Sequence, residues 1–307
     1  MRAAGIDVGG TKCLGVVVDA DGTIERTARL PTRYDNDGLI EVLAELARSL
    51  EPWDTLGVGV AGMVTRGGVV RASPNLGKVT ELHVRERLEE LLGRAVVVDN
   101  DATCATVAEW KIGAARGAHD VVFVAFGTGI GGGFVSEGSL IRGAHGFAGE
   151  IGHMVVDPDG PRCACGRLGC WERFASGAGL ARWASEQPAH DEIAEQLDKP
   201  DDVVLRGEDV MAAARLGSKA AGEIVELFGR WAALGMANLT NAFDPELLVI
   251  GGGLADAADL IVEPIVRWFD ELLYAPDHRP HPRIEVAQLG PQAGAIGAAL
   301  LAAGLAR

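Results

Sequence analysis

Three of the chain's five cysteines, Cys163, Cys165 and Cys170, stand in a C-x-C-x4-C cluster, and His153 precedes that cluster by ten residues. Three thiolates and one imidazole make a tetrahedral Cys3His set, a structural zinc arrangement with no position open for a catalytic water. A disulfide would leave one of the three cysteines odd, and nothing at the N-terminus resembles a secretory signal. Unliganded buried thiols are the other alternative, but Pro158, Asp159, Gly160, Pro161, Gly166 and Gly169 crowd the segment with turn chemistry. Zinc on His153, Cys163, Cys165 and Cys170 is therefore the expectation. The metal would hold loop 153–170, and the loop would hold Glu150 and Glu172.

Asp99-Asn100-Asp101 closes an apolar strand and precedes a helix. One reading makes Asn100 or Asp101 the helix N-cap. The other aims a carboxylate at the strand end toward a substrate hydroxyl, whose proton it accepts. Asn75, in the turn Ser73-Pro74-Asn75-Leu76, offers both a donor and an acceptor. Asn75, Asn100, Asp101, Glu150, His153 and Glu172 would together suit a neutral polyol. His153 can serve twice, with one ring nitrogen on zinc and the other N–H on a ligand.

Two glycine turns could receive an anion. Asp7-Val8-Gly9-Gly10-Thr11-Lys12 joins a carboxylate at a strand end to two glycines whose N–H groups lack an obstructing Cβ. It is not a Walker loop, and taken alone it is equally a plain hairpin. Gly127-Thr128-Gly129-Ile130-Gly131-Gly132-Gly133 repeats the chemistry later in the chain. Gly251-Gly252-Gly253 ends a buried strand, either as a tight turn to a helix or as bare backbone for a nucleoside.

The elements that must position these residues follow a pattern used twice. Strands at 3–8, 13–18 and 23–30 form an antiparallel meander, and strands at 121–126, 130–135 and 139–142 form another. After the first come helices at 38–50, 84–92 and 102–112 and strands at 56–61 and 95–98. After the second come helices at 179–186, 219–242, 256–273 and 293–305 and strands at 247–250 and 283–289. Two similar α/β lobes facing a cleft are expected: residues 1–117, joined by the C-terminal helix 292–307, and residues 118–291. Segment 187–206 reads as a polar surface excursion and 116–119 as a hinge.

The balance of 28 basic against 43 acidic residues gives a net charge of −15, which disfavours nucleic acid and anionic membrane surfaces as partners. The longest apolar run, 293–306, is broken by glycines and shorter than the roughly 20 residues a bilayer needs. A cytoplasmic protein is expected.

The first glycine turn, Asn100-Asp101-Ala102, the second glycine turn, Gly149-Glu150-Ile151-Gly152-His153 and the run from Cys163 to Glu172 together resemble the repressor, open reading frame and kinase (ROK) family, and among its members the glucose-phosphorylating bacterial kinases. The match covers essentially the whole chain, and the cysteine run is its most specific part. It implies an actin-like ATPase, ribonuclease H-like duplicated fold with Mg-ATP and a hexose, most simply glucose, in the cleft. It implies that Asp101 is the general base on the sugar 6-hydroxyl and that Asn75, Asn100, Glu150, His153 and Glu172 hold the hexose. Asp7, Gly9, Gly10, Thr11, Lys12, Thr128 and Gly129 would surround the phosphates and magnesium, with Gly252 and Gly253 beside the nucleoside. A homodimer or larger assembly is also implied. Family repressors carry a DNA-binding domain ahead of the first glycine turn, for which a turn at residue 9 leaves no room. The family's alanine-rich run after the catalytic pair is replaced by Thr103-Cys104-Ala105-Thr106, which is expected to pack neutrally, and Cys13 and Cys104 are expected to be buried thiols. For His145 a loop role is expected ahead of a sugar contact. Alternatives within the same motifs are another hexose or an N-acetylated amino sugar as acceptor, polyphosphate as donor, or a sugar-sensing regulator without turnover.

Overall fold

A computed structural model describes residues 1–73, 76–186, 188–200 and 202–305. Asn75 lies outside them. The chain divides into two compact units, one of Met1–Val121, Gly132–Gly149 and Ala287–Arg307, the other of Val122–Gly131 and Glu150–Val286. Segment 132–149, placed by sequence with the second lobe, thus groups with the first unit.

The first sheet is built as the meander requires. Strands β1 (Ala3–Val8), β2 (Lys12–Val18) and β3 (Ile24–Pro31) pair antiparallel. β4 (Thr55–Val60) joins β1 in parallel, and β8 (Val96–Asn100) joins β4 in parallel, giving the order β3-β2-β1-β4-β8. β1 and β4 are apolar and buried along nearly their whole length, as central strands covered on both faces should be, whereas β3 alternates half-buried and exposed as an edge strand does. Helix α1 (Asn36–Ser49) starts where the Asp35 carboxylate accepts from Gly38 N–H, and α2 (Val84–Leu92) stops at Gly93 in the left-handed region. Helix α3 (Asp101–Ile112) follows β8 without a gap.

A second five-stranded sheet has the order β11-β10-β9-β12-β13, from β9 (Val121–Phe126), β10 (Ile130–Ser136), β11 (Ser139–Ile141), β12 (Leu247–Gly251) and β13 (Arg283–Val286). Its sequence-adjacent meander at one side and later strands at the other repeat the layout of the first sheet. Helices α4 (Gly177–Ala184), α5 (Ala189–Gln196), α6 (Gly207–Arg215), α7 (Lys219–Phe243) and α8 (Ala258–Leu272) lie between β11 and β13 in the chain. No helix among the described residues is long and apolar enough to cross a membrane.

Three stretches depart from expectation, the first being α6, over residues to which the sequence reading assigned no helix. The polar excursion contains α5, which buries Ile193 and Ala194 on a single seam too short to stand out among its charges. A small antiparallel sheet, β5 (Met63–Val64), β6 (Val69–Ala72) and β7 (Thr80–His83), was invisible because strands of two to four residues carry almost no period.

The last helix, α9 (Ala293–Ala302), is alanine, glycine and leucine apart from Ile296 and is buried on nearly every side. An added Cβ would fall 1.9 Å from the Ala295 carbonyl oxygen at Gly5, 1.9 Å from that of Ala298 at Gly57, and 1.7 Å from that of Cys104 at Gly297. Backbone therefore rests on backbone between α9, the first sheet and α3. Gly57→Ala is expected to lower the melting temperature by several degrees, since overpacking costs about 1–3 kcal/mol and each kcal/mol is worth roughly 2–4 °C in a domain of this scale. Gly222→Ala, on an exposed face of α7 with nothing within 4 Å, should instead raise it slightly. Scanning calorimetry of the two variants reads both signs.

Candidate active site

In the first unit, Asp7 stands on β1 just before the Gly9-Gly10 turn. Gly9 N–H donates to the Lys12 carbonyl at 3.1 Å, closing the hairpin. The turn's own carbonyls are occupied by side chains: Thr32 Oγ1 donates to Gly9 O at 2.7 Å, and Tyr34 OH to Gly10 O at 2.8 Å. No atom comes within 4 Å of the space beside Gly10, and Gly10, Thr11 and Lys12 are exposed. With the carbonyls anchored behind it, this turn can offer N–H groups and a lysine to an anion.

Asn100 is the N-cap of α3, its Oδ1 accepting from Thr103 N–H at 3.0 Å while its Nδ2 donates to Gly62 O at 3.1 Å. The capping reading thus holds for Asn100, yet the amide keeps a further donor and acceptor position. Asp99 Oδ1 accepts from Asn100 N–H at 2.9 Å, and Asp99 Oδ2 takes Arg142 Nε at 2.6 Å. That engagement leaves Asp101 as the carboxylate suited to accept a proton. Burial pushes the Asp101 carboxyl above the ordinary carboxylate range, against the hydrogen bonds of the Ala102 and Asp101 N–H groups and the Asn100 side chain. Asp7 is pushed up to about 7, first by burial and then by the negative charge of Asp101. A carboxylate raised toward neutrality is well matched to general-base work. The first turn of α9 presses on Asp7, because a Cβ on Gly294 would fall 2.7 Å from Asp7 Oδ1.

His145 is exposed in a loop tied down by its backbone: Arg66 Nε and Nη2 donate to Gly143 O at 2.9 and 2.6 Å, and Arg66 N–H to His145 O at 3.1 Å.

In the second unit, the turn at Thr128 and Gly129 closes with Gly127 N–H on Gly129 O at 2.9 Å. The start of α4 donates back to it, Gly177 N–H to Gly127 O at 2.8 Å and Ala178 N–H to Thr128 O at 3.2 Å. A Cβ on Gly129 would lie 2.6 Å from Glu172 Oε2, so glycine there makes room for that carboxylate. Glu172 Oε1 lies 3.5 Å from His153 Nδ1 and accepts from Cys163 Sγ at 2.9 Å, while His153 Nε2 is 3.9 Å from Glu150 Oε2. The ligand atoms of His153, Cys163, Cys165 and Cys170 all lie within 4.8 Å of one another, with Cys163 Sγ to His153 Nδ1 at 3.8 Å and Cys165 Sγ to Cys170 Sγ at 3.5 Å. A tetrahedron with metal–sulfur bonds of about 2.3 Å has edges of about 3.8 Å, so the set fits such an ion. Burial, then the neighbouring Glu172, pushes the Cys163 thiol well up, so a bound metal must displace its proton.

Gly252 has φ +80°, and a Cβ there would fall 2.4 Å from Phe126 O, so the tight-turn reading accounts for it. Gly253 faces open space. Sequence reasoning passed over Thr32, Tyr34, Arg142 and Gly294, whose partners lie far along the chain and leave no local motif. Cys13 and Cys104 are buried thiols as expected, and the Thr106 hydroxyl is satisfied by Ala102 O.

This chemistry, anion-receiving turns beside carboxylates and a thiol-imidazole cluster, lies on a fold shared with known proteins. Residues 3–304 match the ROK family. A glucokinase of Streptomyces coelicolor is 37% identical over 306 residues, 97% of this chain and 96% of that protein. A crystal structure of a ROK family glucokinase from Streptomyces griseus in complex with glucose and AMPPNP superposes with a TM-score of 0.89 at 36% identity, covering 99% of this chain and 100% of that one. An N-acetylmannosamine kinase of Escherichia fergusonii is 32% identical over 313 residues, 99% of each chain. The chain belongs to the ROK family, and its α/β fold is the actin-like ATPase fold of that family's kinases.

The Asp7 shift has a consequence for stability. Its carboxyl titrates near 3.8 when unfolded and about 7 when folded, so the fold holds the proton more tightly. The resulting stability is complete below about pH 4 and is lost as pH rises through 7. Asp7→Asn should therefore raise the melting temperature of the ligand-free protein by several degrees at pH 8 and hardly at all at pH 4. Thermal melts across that range check the sign.

Proposed function

We infer that this protein is a hexokinase-type phosphotransferase that moves the γ-phosphoryl group of ATP to the 6-hydroxyl of glucose. The observation that carries the reading is Asp101, a carboxylate with raised proton affinity at the start of α3, beside an Asp99 already occupied by Arg142. Phosphoryl transfer asks a protein mainly for positioning and charge stabilisation, with one group to orient the nucleophile. Asp101 would accept the 6-hydroxyl proton. Asn75, Asn100, Glu150, His153 and Glu172 would bind the sugar hydroxyls. Backbone N–H groups at Gly10, Thr11, Thr128 and Gly129, with Lys12, would receive the phosphates, Gly9 would shape the turn beside them, and Asp7 would face the magnesium that accompanies ATP. Magnesium supplies positive charge to the phosphate oxygens. Gly253, with Gly252 shaping the turn, would lie beside the nucleoside.

The metal proposed for His153, Cys163, Cys165 and Cys170 is zinc, in a structural role. With all four positions filled by protein, it would hold the hairpin together. A reducing cytoplasmic setting suits free thiols at such a site. A homodimer is proposed from the family resemblance, which sedimentation would test.

The relationship to N-acetylmannosamine kinases supports a second reading, in which the acceptor is an N-acetylated hexosamine. A coupled assay with Mg-ATP and a panel of glucose, mannose, fructose, N-acetylglucosamine and N-acetylmannosamine is expected to show preference for glucose. Preference for an amino sugar would keep the mechanism and replace the substrate. Asp101→Asn should lower kcat by about 100-fold or more while leaving glucose affinity within a few fold, because general-base catalysis typically contributes that much. Retention of more than about a tenth of the rate would remove Asp101 as base. Protein purified without chelators should contain one zinc per chain by elemental analysis, and Cys165→Ser should contain far less.

A further inference from the structure

Glu172 stands two residues after Cys170 of the thiol-imidazole cluster, in a segment that is also anchored on α7. Its neighbour Trp171 is fully buried, and the indole Nε1 donates to Trp231 O on α7 at 2.7 Å. The ring fills a notch left by Gly235, one turn further along α7: a Cβ there would fall 2.1 Å from Cε2 and 2.3 Å from Cζ2 of Trp171. Phe126 of β9 meets the indole edge-on, with centroids 5.7 Å apart and planes at 83°. Phe174 stacks on Trp231 at 4.1 Å, and Trp171 N–H donates to Met154 O at 2.8 Å. The Ser176 hydroxyl donates to the Glu172 carbonyl at 2.5 Å. Trp171 and Phe174 therefore hold the backbone on either side of Glu172 to the rigid helix α7.

The metal-type cluster reaches Glu172 quite differently. Cys163 and Cys165 sit on the far arm of a hairpin whose tip carries Gly166 at φ +90°, and Cys165 is exposed. Among the described residues, the Cys163 thiol and the His153 ring touch the Glu172 carboxylate from that side, and Cys170 adjoins Trp171 in the chain. The expectation that metal holds the loop and the loop holds Glu172 thus meets a second anchor that needs no ion.

We propose that Trp171, seated in the Gly235 notch of α7, is the positioning residue that sets where Glu172 stands for the hexose. The inference rests on the proposed role of Glu172 as a hexose ligand. Gly235 works as the receiving half of the joint, because any larger residue would push the indole, and Glu172 with it, outward. A misplacement of about 1 Å can cost as much as 100-fold in a binding or catalytic step, so even a modest displacement is measurable.

The test compares Trp171→Phe, Gly235→Ala and Glu172→Gln with the parent enzyme, reading the KM of glucose, the KM of Mg-ATP, kcat and zinc content. Trp171→Phe loses the Nε1 hydrogen bond and part of the ring that fills the notch, and it decides the matter if Gly235→Ala does not fold. The glucose KM of both variants is expected to rise roughly tenfold, with kcat within about threefold, the Mg-ATP KM within about twofold and zinc unchanged. A parent-like glucose KM in folded Trp171→Phe, alongside a raised KM in Glu172→Gln, would overturn the proposal while sparing the sugar-binding reading. Loss of zinc from Trp171→Phe in step with a raised glucose KM would overturn it too. An unchanged glucose KM in Glu172→Gln would remove the sugar role of Glu172 itself, and the proposal with it.

Discussion

Direct backbone contact between α9 and the first sheet is the constraint on which the first unit depends. A helix whose sheet-facing positions carry no more than a methyl group can come so close that Gly5 and Gly57 must be glycine. The same approach brings the start of α9 against the Asp7 carboxylate through Gly294 and seats α3 against Gly297. Burial raises the proton affinity of both Asp7 and Asp101, and the charge of Asp101 raises that of Asp7 further. The local fold therefore tolerates a destabilising pair of carboxylates because the surrounding packing over-determines their place. Such a cost is common where groups are set for chemistry rather than for stability.

The remaining polar groups near Asp101 divide between chemistry and support. Asp99 is spent on Arg142 and on a backbone N–H, and Asn100 caps α3 and reaches Gly62. Each of these contacts removes a degree of freedom from the strand-to-helix turn that carries Asp101. The glycine turns follow the same logic. Thr32 and Tyr34 on one, and the first N–H groups of α4 on the other, bind the carbonyls and leave the N–H side for an anion. Preorganised dipoles of this kind act without reorganising when charge develops.

In the second unit the carboxylate of Glu172 is the meeting point of three structural features: the glycine turn at Gly129, the thiol-imidazole cluster and the aromatic joint on α7. A single side chain touching both a glycine turn and a metal-type cluster explains why glycine is required at position 129. The cluster's edges suit a tetrahedral ion, while the hydrogen bond from Cys163 to Glu172 is a feature of the protonated thiol. The aromatic joint is indifferent to that protonation.

Much of this was legible along the chain, because the informative signals were local. The meanders at 3–30 and 121–142, the buried strand at 247–251, the glycine turns and the cysteine spacing are all short-range patterns set by φ/ψ preference and hydrophobic period. They determined the α/β class, the family and the set of residues able to do chemistry. The sequence by itself also left Asp99 and Asp101 indistinguishable as carboxylates at one strand end, and Gly252 ambiguous between turn and binding surface. Only tertiary structure separated them, through Arg142 in one case and the Phe126 carbonyl in the other. Gly235, Gly294, Thr32 and Tyr34 have roles defined entirely by partners distant in the chain. Steric fit and the burial of charge arise when remote segments are brought within a few ångströms, and no local residue pattern records that distance.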